Sequence, residues 1–439
     1  MVSFCWQPVP TKNKPADNND GLQDIYFVAC DGQNRLYLNL GNFQFKDITD
    51  VAGLISTDGF ETAVTVVDIN TDGFADLYVC RGGAENNEAR RNKLYINNGI
   101  SPSLGGERGV VTFTERAHEY GLDDKSASTA ANFFDYDNDG DLDLYLLNHP
   151  VEGSYAIKIE SVIGPDGKTR QPLLAPKDEL DTDRFYRNDG GKFTDISKEL
   201  GVWNFAYGLS VSVTDFNRDG WADVYVGNDV IQPDFLYINE KGRKFTNRLG
   251  DYFRHATQHT MGTDLTDFDG DALVDLLAID MRGANNYRQK VFQATLTQSQ
   301  YTSLMQNGYF EPVVRNVLQR NNGNGTFSDV GCLAGVYKTD WSWSGLIADF
   351  DNDGLRDIHI TNGYRREITD RDFMQFTLAN LRGKGTHPRD VYPNFDDFLN
   401  LLPTYKPRNF IFQNKGDWQF ENVGGQWATM PASWSLGSA

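Results

Sequence analysis

The chain has 439 residues, 41 basic and 61 acidic side chains and a formal charge of −20. That balance argues against a nucleic-acid partner, because neutralising phosphates takes basic patches. No run of about 18 apolar residues is long enough to span a bilayer, and residues 1 to 6 lack the basic-then-apolar pattern of a signal peptide.

One acidic signature recurs along the chain. Its first copy, Ala16 to Asp24, lacks an opening carboxylate, so a full site is not expected there. Five complete copies follow. They place oxygen side chains at positions 1, 3, 5 and 9: Asp68, Asn70, Asp72, Asp76; Asp135, Asp137, Asp139, Asp143; Asp215, Asn217, Asp219, Asp223; Asp267, Asp269, Asp271, Asp275; and Asp349, Asp351, Asp353, Asp357. Alternate oxygens around a turn, closed by a further carboxylate, suit a hard cation that takes six to eight oxygens, and Ca²⁺ fits better than the smaller octahedral Mg²⁺. A glycine at position 6 allows the positive φ such a turn needs. The copy at 267–275 departs from the pattern, with Ala272 at position 6 and Gly270 at position 4. A distorted, weaker loop is expected there. An EF-hand closes on Glu at position 12 between helices. Here the closing Asp opens an apolar run such as Leu144-Tyr-Leu-Leu147, so each loop sits between two strands.

Around each loop a larger unit repeats. A run of small and β-branched residues comes first, as in Thr62 to Val67 and Gly208 to Val213. An apolar strand follows the loop. A third segment ends on Asn (Asn39, Asn97, Asn188, Asn239, Asn321, Asn414), and a fourth opens on Phe (Phe45, Phe113, Phe193, Phe245, Phe327, Phe420). Four short antiparallel strands repeated six times predict an all-β protein, a β-propeller of four-stranded blades. A linear β-solenoid is the alternative. The reading is a single propeller domain over 1–439, with 431–439 as the first strand of another unit: either a fragment of a seven-bladed ring cut at both ends, which is favoured, or a ring that this last strand closes by completing the first blade. Insertions with partly helical character break the rhythm at 149–182, 282–316 and 364–407.

With these motifs in view, the chain resembles the FG-GAP/VCBS repeat proteins, propellers of the integrin α-subunit type. Arg320 to Val330, Trp341 to Ser344 and Asp349 to Gly354 are similar to the subgroup of cartilage acidic protein and its bacterial relatives, which often carry an ASPIC/UnbV module. The resemblance implies Ca²⁺ in the Asp loops, an extracellular, periplasmic or cell-surface location, and a binding or adhesion role toward a protein or glycan.

Catalytic machinery is not apparent. There is no nucleophile elbow, phosphate loop or His-Glu-x-x-His; His255 and His259 precede a strand-like run where their spacing does not share a face. The alternative function is a carbohydrate-processing hydrolase or lyase with its site on the insertions. Trp341, Trp343, Trp427 and Trp434 are sugar-stacking candidates, though strand tryptophans are more often core. Cys5, Cys30, Cys80 and Cys332 form no Cys-x-x-Cys pair and read as buried thiols. By strand alternation the insertions should leave the blades opposite the Asp loops and build the recognition surface. Removing 364–407 is then expected to leave the scaffold standing.

Overall fold

The structure is a computed structural model, and it describes residues 21–30, 32–56, 59–83, 87–100, 111–151, 161–164, 167–171, 178–230, 232–292, 296–379, 392, 394–427, 431–435 and 437. The chain divides into two compact units. One holds the chain up to Ile157 together with Leu173–Leu249; the other holds Lys158–Pro172 and Gly250–Ser438.

The first unit contains four antiparallel propeller blades. Blade 1 has three described strands, Ile25–Phe27, Arg35–Asn39 and Phe45–Asp47. Blade 2 has Glu61–Val67, Asp76–Arg81, Lys93–Ile100 and Val111–Glu115. Blade 3 has Ser128–Phe134, Asp143–Asn148, Arg184–Asn188 and Phe193–Asp195. Blade 4 has Tyr207–Thr214, Asp223–Asp229, Phe235–Asn239 and Phe245–Asn247. The second unit contains two more. Blade 5 has Gly262–Thr266, Asp275–Ile279, Val317–Asn321 and Phe327–Asp329. Blade 6 has Asp340–Ala348, Asp357–Asn362, Phe410–Asn414 and Phe420–Asn422, with Met281–Arg282 added at its first-strand edge.

The sequence explains the layering. Second strands lie between neighbours and are packed on both faces, so Asp76–Arg81 and Asp143–Asn148 are buried throughout and read as near-continuous apolar runs. First strands of successive blades run close together, which explains their small and hydroxyl residues. Thr62 Oγ1 donates to Ser128 O at 2.6 Å, Thr65 Oγ1 to Ala131 O at 2.8 Å, and Thr129 Oγ1 to Gly208 O at 2.8 Å. A side chain at Gly208 would collide with Leu147. Apolar clusters fill the spaces between blades; one joins Tyr145, Phe185 and Val202 of blade 3 to Val226, Phe235 and Phe245 of blade 4.

Register places the insertions. Phe134 pairs with Asp143 at the acidic-loop end of blade 3, while Arg184 pairs with Leu146 toward the other end, where 149–182 leaves. Blades 5 and 6 repeat this arrangement, with Thr266 opposite Asp275 and Ala348 opposite Asp357 at the loop end. The insertion 282–316 carries the helices Asn286–Val291 and Gln298–Gln306, and 364–407 carries a π-helical turn at Phe373–Leu378 and the helix Phe395–Leu399.

Two expectations change. Residues 431–435 and 437 form no strand. Their donors go to irregular partners instead: Ser433 N–H to Pro407 O at 3.1 Å, Ser435 N–H to Asn362 O at 2.9 Å, and Trp434 Nε1 to Tyr405 O at 2.8 Å. The insertion 364–407 is not a detachable surface either. Buried Arg288, from 282–316, pairs with Asp340 at 2.7 Å and with Glu367 at 3.1 Å, and its guanidinium lies 4.0 Å from the Tyr405 ring centroid.

Candidate metal loops

Each complete loop joins the first and second strands of a blade and is shaped by its own carboxylates. The position-1 Asp accepts the backbone N–H groups of positions 5 and 6. For Asp135 these are Asp139 and Gly140, at 3.1 and 3.0 Å. Asp68, Asp215, Asp267 and Asp349 repeat the pair. Two residues per loop then take positive φ. Position 6 is Gly73, Gly140, Gly220 or Gly354, with φ from 87° to 97°. Position 4 is Thr71, Asn138, Arg218 or Asn352, near 60°.

The loop at 267–275 is not distorted. Ala272 takes φ 65° and donates to Asp267 at 2.9 Å, as glycine does elsewhere, and Gly270 occupies the other left-handed position with φ 76°. The exchange moves strain from position 4 to position 6 and keeps both bonds to the first Asp, with Gly270 N–H adding a third to Asp267 at 2.7 Å.

The closing aspartates tie each loop to its sheet. Asp143 accepts Tyr136 N–H at 3.2 Å and Asn188 N–H at 2.8 Å. Asp76, Asp223, Asp275 and Asp357 make the same two bonds, each to position 2 of the loop and to the Asn that ends the third strand. Of the incomplete first copy only its last four residues are described, and Asp24 accepts Asn39 N–H at 2.7 Å. The repeated Asn is therefore a partner of the loop, a role visible in the sequence only as a recurring letter. All five closing carboxylates are buried. Burial pushes Asp76, Asp143, Asp223 and Asp275 up to about 7, against the lowering effect of the two backbone bonds, and pushes Asp357 up as well.

Among the described residues, three acidic groups offer oxygens within 4.8 Å of one another: Asp135, Asp137 and Asp143; Asp267, Asp269 and Asp271; and Asp349, Asp351 and Asp353. In the other two loops position 3 is Asn. Asn70 and Asn217 donate to Asp72 and Asp219 at 2.9 and 3.1 Å. The loop at 135–143 holds a carboxylate outside the four ligand positions expected from the sequence. Asp141, at position 7, has a buried Oδ1 without a hydrogen-bond partner, as has Asp137. Burial and the charge of Asp139 raise both carboxyls. A bound cation would satisfy such oxygens, so the donor set fits a hard metal ion.

Third-strand side chains also reach two loops. Arg320 Nε lies 3.1 Å from Asp269, and Gln413 Nε2 donates to Asp351 at 2.6 Å. His255 pairs with Asp329 at 3.1 Å, while the His259 backbone N–H goes to Asp280, so the two histidines serve different carboxylates. Trp341 is buried and stacked on Tyr364 at 4.8 Å; Trp427 is exposed. Cys30 and Cys80 are buried, with Cys30 Sγ donating to Glu61 O at 3.2 Å, Cys332 is exposed, and Cys5 lies outside the described residues.

Sheets of this order, five of them carrying an acidic turn between their first and second strands, define a β-propeller built from acidic-loop repeats. Residues 18–79 and 215–278 match the FG-GAP-like repeat family, so the chain carries FG-GAP-like repeats in these two stretches. The match is to the repeat and does not single out the cartilage acidic protein subgroup. No curated protein matches the chain in sequence. Solved structures similar to it include an Agrocybe aegerita lectin that recognises non-reducing terminal N-acetylglucosamine, at 16% identity and a TM-score of 0.40, covering 94% of this chain and 82% of that one. A Photorhabdus luminescens Tc holotoxin pore matches at 14% identity and a TM-score of 0.33, over 81% of this chain and 13% of its own. A Trypanosoma rangeli sialidase in complex with sialic acid matches at 10% and 0.33, over 82% and 53%.

Proposed function

We propose that the chain is a Ca²⁺-binding propeller that acts outside the cytoplasm or at a cell surface as a protein- or glycan-binding module, without catalysis of its own. The convergence of three carboxylates in each of three loops carries the reading. Asp135, Asp137, Asp139, Asp143 and Asp141 would hold the ion in blade 3; the loops at 267–275 and 349–357 would use positions 1, 3, 5 and 9. The loops at 68–76 and 215–223 would turn the amide oxygens of Asn70 and Asn217 inward. Clustered carboxylates on a chain of net charge −20 repel one another, and divalent ions relieve that repulsion. No described helix is long and apolar enough to cross a membrane. The specificity for a partner is assigned to the insertions, which leave the blades at the end opposite the acidic loops.

Calorimetric titration of the chelator-treated chain with Ca²⁺, and melting with and without EGTA, test the metal reading. Saturable binding at several sites with a higher melting temperature is expected. Identical melts in EGTA and in millimolar Ca²⁺ would sink it. Glycan and protein arrays in Ca²⁺ test the binding role.

A further inference from the structure

The residue just before the Asn that ends a third strand goes with position 3 of the acidic loop in the same blade. Where position 3 is Asn, at Asn70 and Asn217, that residue is a buried isoleucine, Ile96 or Ile238. Where position 3 is Asp, at Asp137, Asp269 and Asp351, it is a side chain with hydrogen-bond donors: Arg187, Arg320 or Gln413. Third-strand donors thus accompany the complete loops that carry a carboxylate at position 3 and not the two that carry an amide there.

The two arginines are held differently. Arg187 forms a bidentate pair with Asp189, two residues further on, at 2.9 and 3.1 Å, and Asp137 Oδ1 is left buried without a partner. Blade 5 has Asn322 in the place of Asp189, and its side-chain amide bonds Thr326 and Ser328. Arg320 turns to the loop instead. Its Nε lies 3.1 Å from Asp269 Oδ2 without forming a hydrogen bond, and its guanidinium lies 5.7 Å from the ring centroid of Trp418. Charge and the Trp418 face hold Nε there rather than a directed bond.

We propose that Arg320 is a tethered counter-cation of the blade 5 loop, which a divalent ion must displace from Asp269, and that Asp189 keeps Arg187 out of the corresponding place in blade 3. The inference rests on the metal reading above and ranks its sites. A guanidinium beside Asp269 relieves repulsion among Asp267, Asp269 and Asp271 before any ion arrives. The ion then gains less by neutralising those carboxylates, and it meets a like charge. The loop at 135–143 has carboxylates at the same four positions with its arginine withdrawn onto Asp189. The two loops therefore differ in affinity, and blade 3 fills before blade 5.

Calorimetric titration of the full, chelator-treated chain with Ca²⁺ tests this, beside thermal melts in EGTA. Arg320→Gln should tighten one site about fivefold, the scale of a half-exposed ion pair, and leave the number of bound ions unchanged. It should also lower the melting temperature in EGTA. A residue that served only the fold would not tighten binding when removed. The tightening should vanish when Asp269→Ala/Arg320→Gln is compared with Asp269→Ala, which assigns it to blade 5. Asp189→Asn frees Arg187 to reach Asp137 and should weaken one site by a similar factor; Arg187→Gln/Asp189→Asn should restore it. Circular dichroism checks that each variant stays folded. Binding that is unchanged or weaker in Arg320→Gln, or a tightening that survives Asp269→Ala, overturns the proposal and leaves the metal reading standing. Wild-type affinity in Asp189→Asn overturns the part assigned to Asp189. A wild-type chain without saturable Ca²⁺ binding overturns both the proposal and the metal reading.

Discussion

Removing the metal should invert the pH dependence of stability. Asp76, Asp143, Asp223 and Asp275 rise from 3.8 to about 7 on folding without a cation. Between those two pH values the folded chain holds protons that the unfolded chain has released, so stability falls as pH rises through that window. A rise of about three pH units at 1.36 kcal/mol each amounts to about 4 kcal/mol for one carboxylate. Several together rival the whole stability of an ordinary domain, about 5–15 kcal/mol. Buried Asp183, Asp264 and Asp280, each raised to about 6, push the same way. Burial lowers His149 and His359, which oppose the trend as pH falls below 6.5, but they are only two groups against seven. Ca²⁺ needs the ionised carboxylates, so its stabilisation grows with pH. One ion adds about 2.7 kcal/mol at a hundredfold excess over its dissociation constant. Differential scanning fluorimetry at pH 5.5 and pH 8 measures both states. In EGTA the melting temperature should be higher at pH 5.5; in millimolar Ca²⁺ it should be higher at pH 8. A metal-free melting temperature that climbs with pH through this range would refute the argument that the closing carboxylates are isolated from compensating charge.

Three further outcomes follow from particular contacts. Asp137→Ala and Asp351→Ala should each cost one bound ion by calorimetry; in the metal-free chain Asp137→Ala should not lower the melting temperature, because its buried oxygen has no partner, whereas Asp351→Ala also loses the Asp353 N–H and Gln413 bonds and should lower it. Ala272→Gly relieves a left-handed alanine and should stabilise the metal-free chain by about 1 kcal/mol or less, read from denaturant unfolding. Glu367→Ala leaves Arg288 with one carboxylate partner and should destabilise by about 3 kcal/mol in the same assay, and deleting 364–407 should unfold the second unit.

The blades and their loops were legible because the same polar letters recur in one register, and a repeat multiplies a weak turn signal. The strand order followed from alternation and from the Asn and Phe that open and close the outer strands. The buried Arg288 pairing was not legible. Its partners lie 52 and 79 residues away, in segments without periodicity. Asp141 was printed within the signature but stood outside the ligand positions, and only its buried oxygen marks it. The Ala272 loop misled because glycine was expected at one position, whereas the turn demands positive φ at two and tolerates a side chain at either.

The acidic loop divides its labour between shape and charge. Positions 1 and 9 already accept backbone N–H groups without a cation, and so fix the turn and fasten it to the third strand. Position 3 in blade 3 has a buried oxygen with no partner and therefore contributes repulsion rather than shape. A cation arriving there meets a formed cradle, so little ordering entropy opposes its binding. What it supplies is neutralisation of carboxylates that the fold has buried ahead of it. In the blade 3 loop, substitutions at positions 1 and 9 thus act on folding and that at position 3 acts on the ion, and the two kinds of defect separate in the metal-free protein; in blades 2, 4 and 6 position 3 also accepts the position-5 N–H, so there the two effects combine.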